Sequence, residues 1–200
     1  MDKTDRLNQI FDESLKVFAR FGYKKATVED IARQAGMTKG NLYLYVKNKR
    51  DMYEKTTAHA LLRWQTKVSE DVAQQHDVEA MFVTMCTKAF EYLAQDNDLR
   101  TVLMNDPAIF PLSPREDSFN EINQASMNML KDILQKGIDQ GRFRKIDIGH
   151  ATEFLFSIYV MFIIKTYVKS EGKSTRKMFE EGVQLVLNGL LSHGNEPDQR

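Results

Sequence analysis

Two hundred residues with 42% hydrophobic content and a formal net charge of zero leave room for one large core, or for a small domain fused to a larger one. The single cysteine, Cys86, excludes an intrachain disulfide, fits a reducing cytosol and is expected as a small core residue. The opening run MDKTDRLN lacks the apolar region of a signal peptide, and the most apolar stretch, 154–164, falls short of the roughly 20 residues a bilayer crossing needs. The expectation is therefore a cytoplasmic globular protein without membrane contact.

In chain order, Leu7, Ile10, Phe11, Ser14, Val17, Phe18 and Phe21 recur at helical spacing and predict a first helix that roofs two short ones. Thr27 stands at an N-cap position with Asp30 three residues on, a shortened capping box, so a second helix is expected from Val28. Val28, Ile31, Ala32 and Ala35 keep the helical period, and Gly36 is suited to the left-handed backbone that stops it. Thr38 can cap a third helix of about two turns, with Leu42 and Val46 pointing inward and Lys39, Gly40, Asn41, Tyr43 and Tyr45 facing out. A long helix is expected from Arg50 to about Gln75, with Tyr53, Thr57, Leu61, Trp64, Val68 and Val72 on one seam; at 1.5 Å per residue it spans about 39 Å. Further helices are expected near 78–95, 98–105, 117–140, 148–168 and 175–192, with Gly141 closing one of them. Pro107, Pro111 and Pro114 fall in one loop, a candidate lid. No internal repeat or low-complexity tract interrupts this pattern.

The fold expected is all-α: a three-helix helix-turn-helix domain over residues 1–48, a larger helical domain over 49–194, and a flexible tail over 195–200. The outward face of the third helix carries chemistry suited to a duplex. Gly40 lets backbone approach closely, and the helix N-terminus favours phosphate oxygens. Lysine can pair with guanine acceptors or phosphate, asparagine can bond adenine twice, and tyrosine and threonine hydroxyls donate to phosphates. Lys39 and Asn41 are thus the candidate sequence readers, and Lys49 is placed to clamp the backbone. Charge is distributed accordingly: residues 1–50 hold 11 Lys and Arg against 6 Asp and Glu, or +5, and residues 51–200 hold 17 against 22, or −5. A helical hairpin with a solvated polar face would have the same spacing.

The run ARFGYKKATVEDIARQAGMTKGNLYLYVKNKRDM, residues 19–52, resembles the N-terminal domain of the TetR/AcrR family of one-component bacterial transcription regulators. The matching features are Phe18, Phe21, Gly22 and Tyr23, the Thr27 cap, the Ile31–Ala32 and Ala35–Gly36 pairs, and the stretch from Gly40 to Tyr43 followed by Lys49. Asn41 stands where threonine is frequent, and Val46 where phenylalanine is. The resemblance implies a DNA-facing set of Thr27, Thr38, Lys39, Gly40, Asn41, Tyr43, Tyr45 and Lys49. It also implies a dimer formed as a four-helix bundle by the last two helices of each subunit, and a cavity for a small molecule that releases the protein from DNA. Repression is the commoner outcome in that family.

Two features of the larger domain bear on the same points. The helix near 148–168 is apolar nearly all round, so it must be covered on more than one side, and Gly182 and Gly189 sit seven residues apart in the last helix. A homodimer through Leu155, Phe162, Gly182, Val186 and Gly189 is expected. Ten methionines and several aromatics supply an adaptable apolar lining. Trp64, Phe82, Met85, Phe90, Met104, Phe110, Met127, Leu130, Phe156 and Tyr159 are the candidate effector-pocket residues, for a mostly apolar small molecule, although most of such a stripe serves as plain core.

An enzyme is not expected. The chain has no GxxxxGKS/T, HExxH or GxSxG run and no cysteine-histidine spacing for a metal, while His59, His76, His150 and His193 are scattered, so neither cofactor nor metal is expected. The rival readings are a helical effector sensor of the same fold without specific DNA binding, and a non-specific architectural DNA binder, which would not need so large a second domain.

Overall fold

The computed structural model describes residues 3–106, 109, 119–168 and 172–192. Apart from an isolated bridge between Phe143 and Leu191, the regular structure among them is helical: α1 Lys3–Lys25, α2 Val28–Gln34, α3 Lys39–Leu42, α4 Lys49–Ala73, α5 Val78–Gln95, α6 Asn97–Asn105, α7 Asn120–Asp139, α8 Ile148–Ile163 with a π-helical continuation Ile164–Val168, and α9 Gly172–Leu190. The proline loop, Phe110, His193 and the tail lie outside the described residues.

The chain forms two compact units, residues 1–66 with 92–122, and residues 67–91 with 123–200. This grouping follows tertiary contact rather than chain order, because α6, remote in sequence, packs on α1. In the first unit Ile10 and Phe18 of α1, Ile31 of α2, Leu42 of α3, Met52 of α4 and Leu99 of α6 form the core. Ser14 is buried among them and is satisfied by donating to the Ile10 carbonyl at 2.6 Å. Phe18 meets Tyr53 edge-on at 5.0 Å, and the Tyr53 hydroxyl donates to Asp106 at 2.8 Å. Burial, then that carboxylate, pushes the Tyr53 phenol well above its ordinary value. Arg63 ties the helices laterally, bonding Asp12 of α1 and, at 2.8 Å, Asp96 at the start of α6. The His59 hydrogen bond and the Arg63 guanidinium hold Asp12 below the usual carboxylate range against the opposing effect of burial. α1 is broken at Gly22, whose φ of 70° is left-handed.

In the second unit Phe82 and Phe90 of α5, Leu130, Ile133 and Leu134 of α7, Phe143, and Phe179 and Val183 of α9 are buried. Gly137 permits close packing, since a Cβ there would collide with the Phe143 ring. The α7–α8 connection turns at Gly141, φ 68°, and is pinned by Arg144 N–H donating to the Leu190 carbonyl at 2.8 Å. Asp147 caps α8 by accepting from His150 N–H at 2.9 Å.

Two expectations need correction. The third helix is not two turns long. After Leu42 the amides of Leu44 and Tyr45 bond back three residues, to Asn41 and Leu42, so the chain tightens into a turn. The apolar stretch of α8 is longer than 154–164. Residues 148–167 are long and apolar enough to cross a membrane by length and composition only, a test that the core helix of a soluble protein also passes, because Glu153 and Lys165 interrupt the apolar run without ending the helix.

Candidate nucleic-acid interface

The helix-turn-helix is set by three caps. Thr27 and Asp30 form a reciprocal box: the Thr27 hydroxyl accepts from Asp30 N–H at 3.1 Å, and the Asp30 carboxylate accepts from Thr27 N–H at 3.2 Å. The same carboxylate also accepts from the Thr27 hydroxyl at 2.6 Å, and this contact first of all lowers the Asp30 pKa. Gly36, φ 64°, makes the turn, and Thr38 Oγ1 caps α3 by accepting from Asn41 N–H at 3.2 Å. The third cap is a device the sequence reading missed. Asn48 Oδ1 accepts from Asp51 N–H at 2.9 Å while Asp51 accepts from Lys47 N–H at 2.8 Å, which fixes Lys49 as the first residue of α4. Its signal was legible: an asparagine three residues before an aspartate at a helix start.

On this frame Thr27, Thr38, Lys39, Gly40, Asn41 and Tyr43 are all exposed, as their spacing predicts. A Cβ on Gly40 would meet only Thr38 Oγ1, at 4.0 Å, so nothing in the chain's own packing requires glycine there. Lys39 is not free. It pairs with Glu29 of α2, a contact that raises the lysine pKa and lowers that of the glutamate. Lys49 is half-buried, donating to the Lys24 carbonyl at 3.1 Å and lying 4.8 Å from the Tyr23 ring centre, so it braces the end of α1 with one of its three N–H donors. Tyr45 differs from expectation: it is half-buried rather than outward, because the tightened turn rotates it, and its carbonyl accepts from Lys55 at 3.3 Å. Leu44, which the sequence reading passed over, is 80% exposed instead. A capped, glycine-bearing turn with amide, hydroxyl and ammonium groups facing outward can bind phosphate and base edges.

The other expected sites fall as follows. Of the effector set, Trp64 and Met104 belong to the first unit, where Met104 is 38% exposed; Phe82, Phe90 and Leu130 are close-packed in the second. Met85, Met127, Phe156 and Tyr159 are half-buried in that unit, with Tyr159 6.0 Å from both Phe90 and Phe156 between ring centres. Burial pushes the Tyr159 phenol far above its usual value, and the Cys86 thiol up to about 12. Of the dimer set, Leu155, Phe162, Gly182 and Val186 are half-buried and Gly189 is exposed, and a Cβ on either glycine would meet nothing within 4 Å. Phe154, Met161, Met178 and Leu185, not singled out from sequence, expose 46–74% of their surface on the same two helices. No cluster of three or more metal-ligating side chains occurs among the described residues.

Residues 10–56 match the model of the bacterial regulatory proteins of the tetR family, and residues 58–189 match that of the YsiA-like protein C-terminal region. The chain belongs to the TetR family. It is a transcriptional regulator, and its relatives are regulators rather than enzymes. It is 27% identical over 190 residues to the fatty acid metabolism regulator protein of Bacillus subtilis, covering 94% of this chain and 97% of that one. It is 24% identical over 194 residues to the transcriptional repressor KstR2 of Rhodococcus jostii, covering 96% and 95%. Among solved structures, the fatty acid degradation regulator FadR of Bacillus halodurans superposes with a TM-score of 0.78 at 26% identity, over 95% of this chain and 98% of that one. FadR of Bacillus subtilis, solved with stearoyl-CoA, gives 0.76 at 24% identity over 91% and 98%, a likeness of fold.

Proposed function

We propose that this TetR-family protein is a repressor that binds a pseudo-palindromic operator as a two-fold dimer and is released by a largely apolar effector of the fatty-acyl class. Residues 1–48 act as the reading head and 49–194 as the effector and dimerisation part. The observation that carries the reading is the outward row Thr38, Lys39, Gly40, Asn41 and Tyr43, exposed on a capped helix whose glycine the protein's own packing does not require. Asn41 is the adenine reader, Lys39 and Tyr43 flank it, and Thr27 and Lys49 hold the phosphate backbone. Two-fold symmetry sets the half-sites about 34–36 Å apart or somewhat more.

The effector class is supported by relatives that regulate fatty acid metabolism and by a neighbour that holds stearoyl-CoA. In this chain Met85, Met127, Phe156 and Tyr159 are the part of the expected lining that close packing leaves partly open. An effector that favours a non-binding form by about 1–3 kcal/mol weakens the operator complex roughly 5 to 150-fold.

Fluorescence anisotropy with the DNA flanking its own gene, against scrambled DNA at two salt concentrations, tests the reading. Tight, salt-sensitive preference that Tyr43→Ala loses, and that stearoyl-CoA but not coenzyme A abolishes, is the expected result. Equal weak binding to both DNAs would favour the second reading, an effector sensor without specific DNA binding; the pairing of Lys39 with Glu29 and of Lys49 with the Lys24 carbonyl is the observation on its side.

A further inference from the structure

Leu44 has the largest open fraction of any large apolar side chain among the described residues, at 80%. Folding does not need it. The inward positions of this segment are taken by Leu42 and Val46, two residues to either side, which are 1% and 4% exposed. Nor is it loosely held, because Leu44 N–H donates to the Asn41 carbonyl at 3.2 Å and the next amide donates to the Leu42 carbonyl at 3.0 Å. The backbone thus carries Leu44 to the same open hollow as Arg6, Arg33, Thr38, Asn41 and Tyr45.

Apart from Gly36 and Met37, that hollow is otherwise lined by side chains that donate hydrogen bonds, and a leucine can offer a phosphate nothing. In the major groove the apolar group presented by a base edge is the C5-methyl of thymine, and aliphatic side chains are among those that pack on it. We propose that Leu44 is a specificity-determining residue that packs on a thymine methyl beside the base read by Asn41. The inference rests on the operator-binding reading above. It adds one requirement: a thymine in each half-site whose methyl, rather than its hydrogen-bonding edge, is recognised. Covering a single extra carbon is worth roughly fourfold in affinity per half-site.

The test is a selection of binding sites from a random duplex pool by the full-length protein, followed by anisotropy on the selected site with each thymine replaced in turn by uracil, which removes only the methyl. Wild-type protein should weaken about fourfold per half-site at one thymine. Leu44→Ala should bind the unmodified site correspondingly more weakly, be indifferent to uracil there, and select pools without thymine preference at that position, with an unchanged thermal midpoint. A selected site at which no uracil matters, or at which uracil weakens Leu44→Ala as much as wild type, overturns the assignment while leaving operator binding intact. If wild-type protein selects no site at all, the operator reading falls and this one with it.

Discussion

The segment from Thr27 to Lys49 and the helices α8 and α9 both expose side chains that their own packing does not use, but of opposite kinds. The first presents mostly amide, hydroxyl and ammonium groups around an open glycine, with the helix starts capped and the bare Leu44 beside them. The second presents Phe154, Met161, Met178 and Leu185, with open glycines at 182 and 189. Polar groups facing water cost little and await a charged, hydrogen-bonding partner, whereas large apolar side chains left in water are costly and favour cover by another apolar surface. The two-fold dimer proposed above would answer both, since a surface joining two copies would also place two reading heads on one duplex.

The largest effect should come from charging the apolar face. Leu185→Glu should turn the dimer into monomers in sedimentation and lower operator affinity about 100-fold or more, since two linked half-site contacts become one; an intact dimer would place the interface elsewhere. Gly40→Ala separates folding from reading. Alanine should leave the fold intact and raise stability by up to about 1 kcal/mol in urea melts, while operator affinity falls roughly tenfold as the added methyl meets the groove. Equal affinity would mean that the duplex does not approach this backbone.

A smaller change tests the Lys39 pair. Glu29→Gln frees the ammonium and removes a carboxylate from the interface, so affinity should rise a few-fold and the slope of log affinity against log salt should steepen by about one. The smallest effect concerns the support of the first region. Asp12 is held below its ordinary 3.8 when folded, so its contribution is complete above the unfolded value and is lost as pH falls through the folded one. Asp12→Asn should therefore flatten the acid limb of the stability profile below about pH 4 and leave operator affinity at neutral pH unchanged, as read by melts and anisotropy.

Much of the first region was legible because its signals are local. Thr27 with Asp30, Gly36 and Thr38 each act within four residues, and the capping geometry they predict is the one observed. The helix order along the chain was legible for the same reason, since apolar period and caps are local properties. The turn after Leu42 was not, because whether Tyr43 to Tyr45 continue a helix depends on how Leu42 and Val46 are both buried in the core. Tyr45, expected to face out, is consequently half-buried, and Leu44 lies open. The lateral ties, Arg63 to Asp12 and Asp96 and Lys49 to the Lys24 carbonyl, join residues 25 to 51 positions apart and left no local trace.

By itself, then, the sequence determined that the chain is all-α in class, the order of its helices, the caps and glycine that bound the second, and which residues of the turn bear chemistry suited to a duplex, because caps, glycines and hydrophobic period act over a few residues. Only the tertiary structure decided that α6 packs on α1, that Lys39 is paired while Leu44 is bare, and that α8 and α9 leave large apolar side chains open. Those outcomes depend on which surfaces meet, and that is settled by packing among residues far apart in the chain.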